Sequence, residues 1–370
     1  MLIALSLIGA TPATHAQTKF NLLIGTYTNP GKSEGIYVYE FDSQTGALSY
    51  KNKVGGIKNP TFLAISPDEN IVYAVNSQDI GNIFSYKFDR PTGSLEFQSK
   101  QPAGGDNPCY VAVDSHSRYV FSGNYGGGSL SAIPLNKDGS LAENSQVIKH
   151  EGSSIDPERQ DKPYVHSVVL SPDEHFLFVQ DLGTDKLYNY KFDPNAPVPL
   201  TPAGQATVSV TPGSGPRHII FHPKKKLAYV IHEMGGIISS FHYNDGELSP
   251  IEVVSMAAPG FTGEMRSAAI HISSDGKFLY GSNRGEANNI VIYSIDEKTG
   301  QLTLVGRQSA IGKGPRDFAI DPTGNFMLIA NQDSNDIYVL KRDKKTGIPS
   351  ETVAKIDVFA PVCLKFASVK

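Results

Sequence analysis

The chain has 370 residues and nearly balanced charge, with 33 Lys and Arg against 37 Asp and Glu and a formal net charge of -4. That balance leaves no basic footprint for nucleic acid or an anionic membrane. With 35 Gly, 24 Pro, 17 Tyr and 18 Phe and few helix-favouring runs, the composition points to many short strands separated by turns, an all-β chain.

At the N-terminus, Leu2 to Ile8 form an apolar run followed by GATPATHAQ, in which Thr14-His15-Ala16 resembles a small-residue cleavage site before Gln17. Residues 1–16 therefore read as a secretory signal peptide, which predicts a periplasmic or secreted protein. The run is too short to span a bilayer, and no membrane partner is expected. Only two cysteines occur, Cys109 and Cys363. Export thus brings no disulfide framework, and both read as buried free thiols on innermost strands.

From Asn21 onward the sequence repeats. NLLIGTYT at Asn21 is a strand that lacks a preceding partner. A phrase then recurs in which a polar turn leads into a β-branched and aromatic run: SPDENIVYAVN, DSHSRYVFSGN, SPDEHFLFVQD, HPKKKLAYVIH, SSDGKFLYGSN and DPTGNFMLIAN, starting at residues 66, 114, 171, 222, 273 and 321. A spacing of about fifty residues is that of a four-stranded propeller blade. Each copy follows an apolar strand, most often entered through proline: NPTFLAI, NPCYVAV, KPYVHSVVL, GPRHIIF, EMRSAAIHI and GPRDFAI. Third and fourth strands follow as alternating segments joined by tight D-x-x-T-G or K-D-G turns. A last apolar strand, APVCLKF at Ala360, has no turn phrase after it. It predicts a seven-bladed β-propeller over residues 17–370, four antiparallel strands per blade, with the C-terminal strand completing the N-terminal blade.

In such a blade the loop entering the first strand and the loop leaving the second lie on one face, beside the central channel. Titratable groups from all blades converge there, which makes that mouth the candidate site. Exits contribute Asn124, Asp181, Glu233, Arg284 and Gln332, and entries Tyr164, His166, Arg217, His218, Glu264 and Arg316. Asn76 and Asn124 read first as backbone caps at strand exits, ahead of any contact with substrate. Arg316 beside Asp317 reads equally as an ion pair between loops. Arg217 and Arg284 near a channel axis call for an anionic partner or ligand, and Glu233 and His166 are the acid–base candidates.

The phrases SGPRHIIFHPKKKLAYVIHEMGG, AAIHISSDGKFLYGSNRG and GPRDFAIDPTGNFMLIANQDSNDIYVLKRDKKTG resemble the lactonase family of seven-bladed propellers, which includes propeller-type 6-phosphogluconolactonases and carboxy-cis,cis-muconate cyclases. The resemblance spans NLLIGTYT to the closing strand. It implies a hydrolase opening a small anionic or sugar lactone, or a lactone-forming cyclase, with no organic cofactor; separately, a monomer is the expected state. By the resemblance, Arg217, Glu233 and Arg284 fall on the family's GPRH, following-strand and SNRG positions. The family's H-x-H phrase falls on Tyr164-Val165-His166, where only the second histidine is present. Glu233 or His166 would activate water while Arg217 and Arg284 hold an anion and the oxyanion, and His218, Asp181 and Gln332 shape the sugar pocket. Two alternatives stand beside this: a lactonase with a divalent cation such as calcium on Asn124, Asp181, Glu233 and Asn283, and a non-catalytic propeller that binds a protein or glycan.

Overall fold

The computed structural model of the chain describes residues 17–28 and 31–370. The expected signal peptide lies outside the described residues. Twenty-eight strands, β1 to β28 in chain order, form seven four-stranded antiparallel sheets. Six sheets use four consecutive strands. The seventh joins β28 (Pro361–Ser368) to β1 (Lys19–Thr26), β2 (Ile36–Asp42) and β3 (Leu48–Val54), in that order. The register runs from Phe20 opposite Ser368 to Thr26 opposite Pro361, so the two chain ends meet on one blade and close the ring.

The repeated turn phrase has a common physical purpose. Its first residue turns its side-chain oxygen back onto the amide five residues later, locking the tight connection between first and second strands. Ser66 Oγ accepts Ile71 N–H at 2.9 Å, Asp114 accepts Tyr119 N–H at 2.7 Å, Ser171 accepts Phe176 N–H at 3.1 Å, Ser273 accepts Phe278 N–H at 3.0 Å and Asp321 accepts Phe326 N–H at 2.6 Å. At His222 the ring takes over, with Nδ1 accepting the amides of Lys224 and Lys225.

Second strands such as Tyr119–Asn124, Phe176–Asp181, Leu227–His232 and Phe326–Asn331 are buried at every residue. Each lies inside a blade that is packed on both faces, which is why these runs are mainly apolar and end in a polar residue at the channel mouth. Fourth strands face solvent at the rim and alternate, as in Leu200–Ser209. The apolar clusters lie between adjacent blades. Leu22, Ile24 and Phe41 of the first blade pack on Leu328, Ile337 and Val339 of the last, so ring closure buries apolar surface as well as pairing a strand edge.

Candidate active site

The innermost strands around the channel are β4 (Leu63–Ile65), β8 (Pro108–Val113), β12 (Val165–Leu170), β16 (Pro216–Phe221), β20 (Met265–Ile272), β24 (Pro315–Ile320) and β28. Several share one irregularity near their start. The pairing register skips Cys109, His166, Arg217 and Arg316, so each of these residues is a bulge opposite its second strand. A bulge re-aims a side chain that regular alternation would send elsewhere. Four blades use it to bring a functional side chain to the same end of the channel.

Glu233 stands at the centre of the group, directly after β17 (Leu227–His232). Its backbone is held on both sides, its N–H donating to Gly215 O at 2.8 Å and its carbonyl accepting Ser267 N–H at 3.0 Å. The carboxylate is buried and accepts from three guanidiniums. Arg159 Nη2 reaches Oε1 at 2.8 Å, while Arg217 Nε and Arg284 Nη2 reach Oε2 at 3.1 and 3.0 Å. Burial alone would raise the Glu233 pKa, but Arg284 and Arg217 outweigh it and hold the carboxyl well below its usual range. His166 Nε2 lies 3.8 Å from the same Oε2. Burial first, then Arg217, pushes the imidazole well below its usual pKa against the pull of Glu233, so it is neutral at pH 7.

Arg217 is almost fully enclosed and also donates Nη1 to Ala268 O at 2.7 Å, so it fixes Glu233 from beneath. Arg284 and Arg316 instead line an open cavity of about 350 Å³ with Tyr27, Tyr125, Cys109, His166 and Glu233. Four arginines, counting Arg159 and Arg217, face one carboxylate. Burial together with Arg284 and Arg316 lowers the Arg217 guanidinium from the usual arginine range, the electrostatic mark of a site short of negative charge.

The remaining expected residues divide. Arg316 stands over the Tyr27 ring at 5.3 Å, and Gln332 Oε1 accepts from its Nη1 at 3.4 Å. The Arg316–Asp317 ion pair that the sequence allowed does not form. Asp317 turns away to accept the amides of Phe318 and Leu364 and to meet His271 Nε2 at 3.3 Å. Tyr164 lies at the rim, its hydroxyl on Asp161 and its ring 4.8 Å from Tyr125. Glu264 is exposed and pairs with Arg266 at 2.7 Å. His218 lies against Arg217 and His166 and below the cavity, its ring 5.4 Å from that of His166.

Asp181, expected to touch substrate, is a correction, and Asn124, offered both as a cap and as a substrate contact, is the cap. Both are fully buried and held by protein groups. Asp181 pairs with His150 Nδ1 at 2.8 Å and accepts the amides of Tyr164, Gly183 and Thr184. Asn124 donates to Ala103 O and to the hydroxyls of Ser129 and Ser131. These ties also weigh against the cation site drawn through Asn124, Asp181, Glu233 and Asn283. Asp181 is occupied by His150, Glu233 is ringed by cations, and Asn283 accepts from Ser267 Oγ at 2.6 Å. Cys363 is buried, whereas Cys109 is only partly so and lines the cavity, with Sγ 3.9 Å from His166 Nδ1.

Sequence reasoning missed Arg159, which lies in the segment between β11 (Gln146–Lys149) and β12. That segment has no counterpart in the other blades. Its trace in the sequence is the longest interval between turn phrases, from Asp114 to Ser171.

Comparison with known proteins gives the family. Residues 21–366 match the family model "Lactonase, 7-bladed beta-propeller". The chain is 37% identical over 352 residues to the 6-phosphogluconolactonase of Bacillus subtilis, covering 94% of this chain and 99% of that protein. It is 35% identical over 340 residues to the 6-phosphogluconolactonase of Formosa agariphila, covering 90% and 96%. Among solved structures, the periplasmic gluconolactonase of Pseudomonas aeruginosa superposes with a TM-score of 0.91 at 38% identity, covering 95% of this chain and 100% of that one. The chain belongs to the lactonase family of seven-bladed β-propellers and is an enzyme of that hydrolase class.

Proposed function

We propose that the chain hydrolyses an anionic aldonolactone of the 6-phosphogluconolactone type in the cavity between Glu233, His166, Arg284 and Arg316. The observation that carries this reading is the excess of guanidinium over carboxylate around a cavity of small-molecule size. The names of the relatives from Bacillus subtilis and Formosa agariphila support it.

In this reading neutral His166 takes a proton from the attacking water as oxygen bonds to the lactone carbonyl carbon. Glu233, 3.8 Å away, stabilises the imidazolium that results. Such a carboxylate, held ionised by three arginines, is a poor proton acceptor and a good electrostatic partner. Arg284 and Arg316 receive the developing oxyanion and the anionic substituent, and Arg217 keeps Glu233 in register. Collapse of the tetrahedral intermediate breaks the ring C–O bond, and the imidazolium returns its proton to the departing alkoxide, leaving the open aldonate.

Extracytoplasmic placement is part of the proposal, supported by the leader-like residues 1–16 and by the periplasmic relative. It favours a second reading, an unphosphorylated aldonolactone, since phosphorylated sugars belong to the cytosol. Turnover of phosphorylated and unphosphorylated aldonolactones by the purified protein separates the two. His166→Asn should lower kcat by about a hundredfold or more on the preferred lactone. Wild-type kcat/KM should stay flat through neutral pH and fall only well below pH 6.5, where His166 gains its proton. Full turnover by the Asn variant would remove His166 from the mechanism.

A further inference from the structure

Phe62 stacks on Tyr110 at 4.0 Å, Tyr110 meets His218 at 5.2 Å, and His218 meets His166 at 5.4 Å, so aromatic rings of four blades form a partition within the channel. Beneath this partition lies a second cavity of about 360 Å³, which reaches the turn at Pro172 on the opposite side of the ring.

Its walls are mainly apolar, with Leu170, Ile220 and Ile270 below the rings. Lys365 of β28 projects into it. Its ammonium lies 4.6 Å from the centroid of the Phe62 ring and, among the described residues, has no carboxylate within ion-pair distance and no hydrogen-bond acceptor. Asp317 also lines the cavity, yet its oxygens are taken by the amides of Phe318 and Leu364 and by His271. Tyr110 offers a second polar group near Lys365, and among the described residues its hydroxyl makes no hydrogen bond. A cation placed over a ring face, with a neutral donor near it and hydrocarbon beyond, complements one anionic head on a compact apolar body.

We propose that this second cavity binds a small aromatic monocarboxylate, its carboxylate on Lys365 and its ring between Phe62, Tyr110 and the aliphatic wall. The site is separate from the lactone cavity and does not depend on the reading given for it. Of the charged groups that line it, Lys365 faces the acid, His271 is turned toward Asp317, and the Asp317 oxygens are engaged by two backbone amides and that imidazole.

Titration calorimetry with benzoate, and with benzamide as a neutral body of the same shape, tests this on the full chain. Benzoate is expected to bind at least about tenfold more tightly than benzamide, and Lys365→Met to weaken benzoate by a similar factor. The same variant should keep its lactone turnover, and Arg284→Met should keep benzoate binding. Equal binding of benzoate and benzamide would overturn the proposal. So would benzoate binding that survives in Lys365→Met and disappears in Arg284→Met, because the acid would then lie among the arginines of the lactone cavity. If Lys365→Met does not fold, the benzamide contrast together with Arg284→Met still decides the question.

Discussion

His232 shows how the interior of the ring treats titratable groups. It is completely buried between the hydroxyls of Ser214 and Ser239, each at 2.9 Å, and burial pushes its pKa down to about 3. His166 is depressed in the same direction. In the folded chain these imidazoles stay neutral below pH 6.5, whereas in the unfolded chain they take up protons. The stability they lend is therefore complete above pH 6.5 and drains as the pH falls from there toward the folded pKa. Glu233, whose pKa is also lowered, acts with the same sign: its share is present above the unfolded carboxyl pKa and is lost as the pH drops through the folded value. Each buried imidazole changes stability by up to about 1.4 kcal/mol per pH unit, so urea unfolding should show a loss of roughly 2 to 4 kcal/mol between pH 6.5 and 5. His232→Gln should flatten part of that slope. A urea midpoint that does not move over this range would contradict the assignment of neutral buried histidines.

At the scale of single elements, the loops rather than the strands decide where the site stands. Asp185, in the turn after the second strand of its blade, accepts Gly215 N–H and Gly213 N–H at 2.7 Å each and Ser154 Oγ at 2.6 Å. One carboxylate thereby fixes both the entry to β16, which carries Arg217 and receives the Glu233 amide, and the long segment that carries Arg159. Asp185→Ala leaves buried amides without an acceptor and should cost about 2 kcal/mol or more in urea unfolding, with turnover falling as Glu233 loses its support. Asp185→Asn, which keeps one carbonyl oxygen and tolerates the local φ of 50°, should lie between the two. This is also where legibility ended. The strands repeat, so their order, the blade count and the exits bearing Glu233 and Arg284 followed from periodicity. The bulges at His166, Arg217 and Arg316 leave no mark in a pattern of alternating residues, although three of the four bulges follow directly on a proline. Arg159 was invisible because its segment repeats nowhere. Asp181 misled because an exit position fixes the end of the channel a residue is near, and not whether its side chain turns inward or caps a neighbouring turn.

For the whole molecule the decisive contact is the pairing of chain ends that are remote in sequence. Leu22, Leu23 and Ile24 of β1 have no exposed surface once β28 lies beside them, and Phe366 packs edge-on against Phe20 and Phe41 at 6.5 and 5.3 Å. Leu364 N–H donates to Asp317 of the last blade at 2.8 Å, while Ser368 N–H donates to Glu69 of the second blade at 2.9 Å. β28 thus ties three blades together. Ending the chain at Val358 would uncover an apolar strand edge along the channel and open the ring to sliding and association. The truncated protein should fail to elute at the compact volume of the intact chain and should lack lactonase activity, and a peptide of residues 359–370 added in trans should restore part of both. The loss would follow from removing the strand and not from breaking the chain at that place. Phe20 and Ser368 are paired neighbours, so a short linker can join the C-terminus to residue 17. New ends can then be opened between Gly55 and Gly56, on the connection that leaves the rim strand β3. That permutant keeps every strand pair and should keep its fold and turnover. If it unfolded while the truncated chain remained folded, closure by β28 would not be what holds the ring.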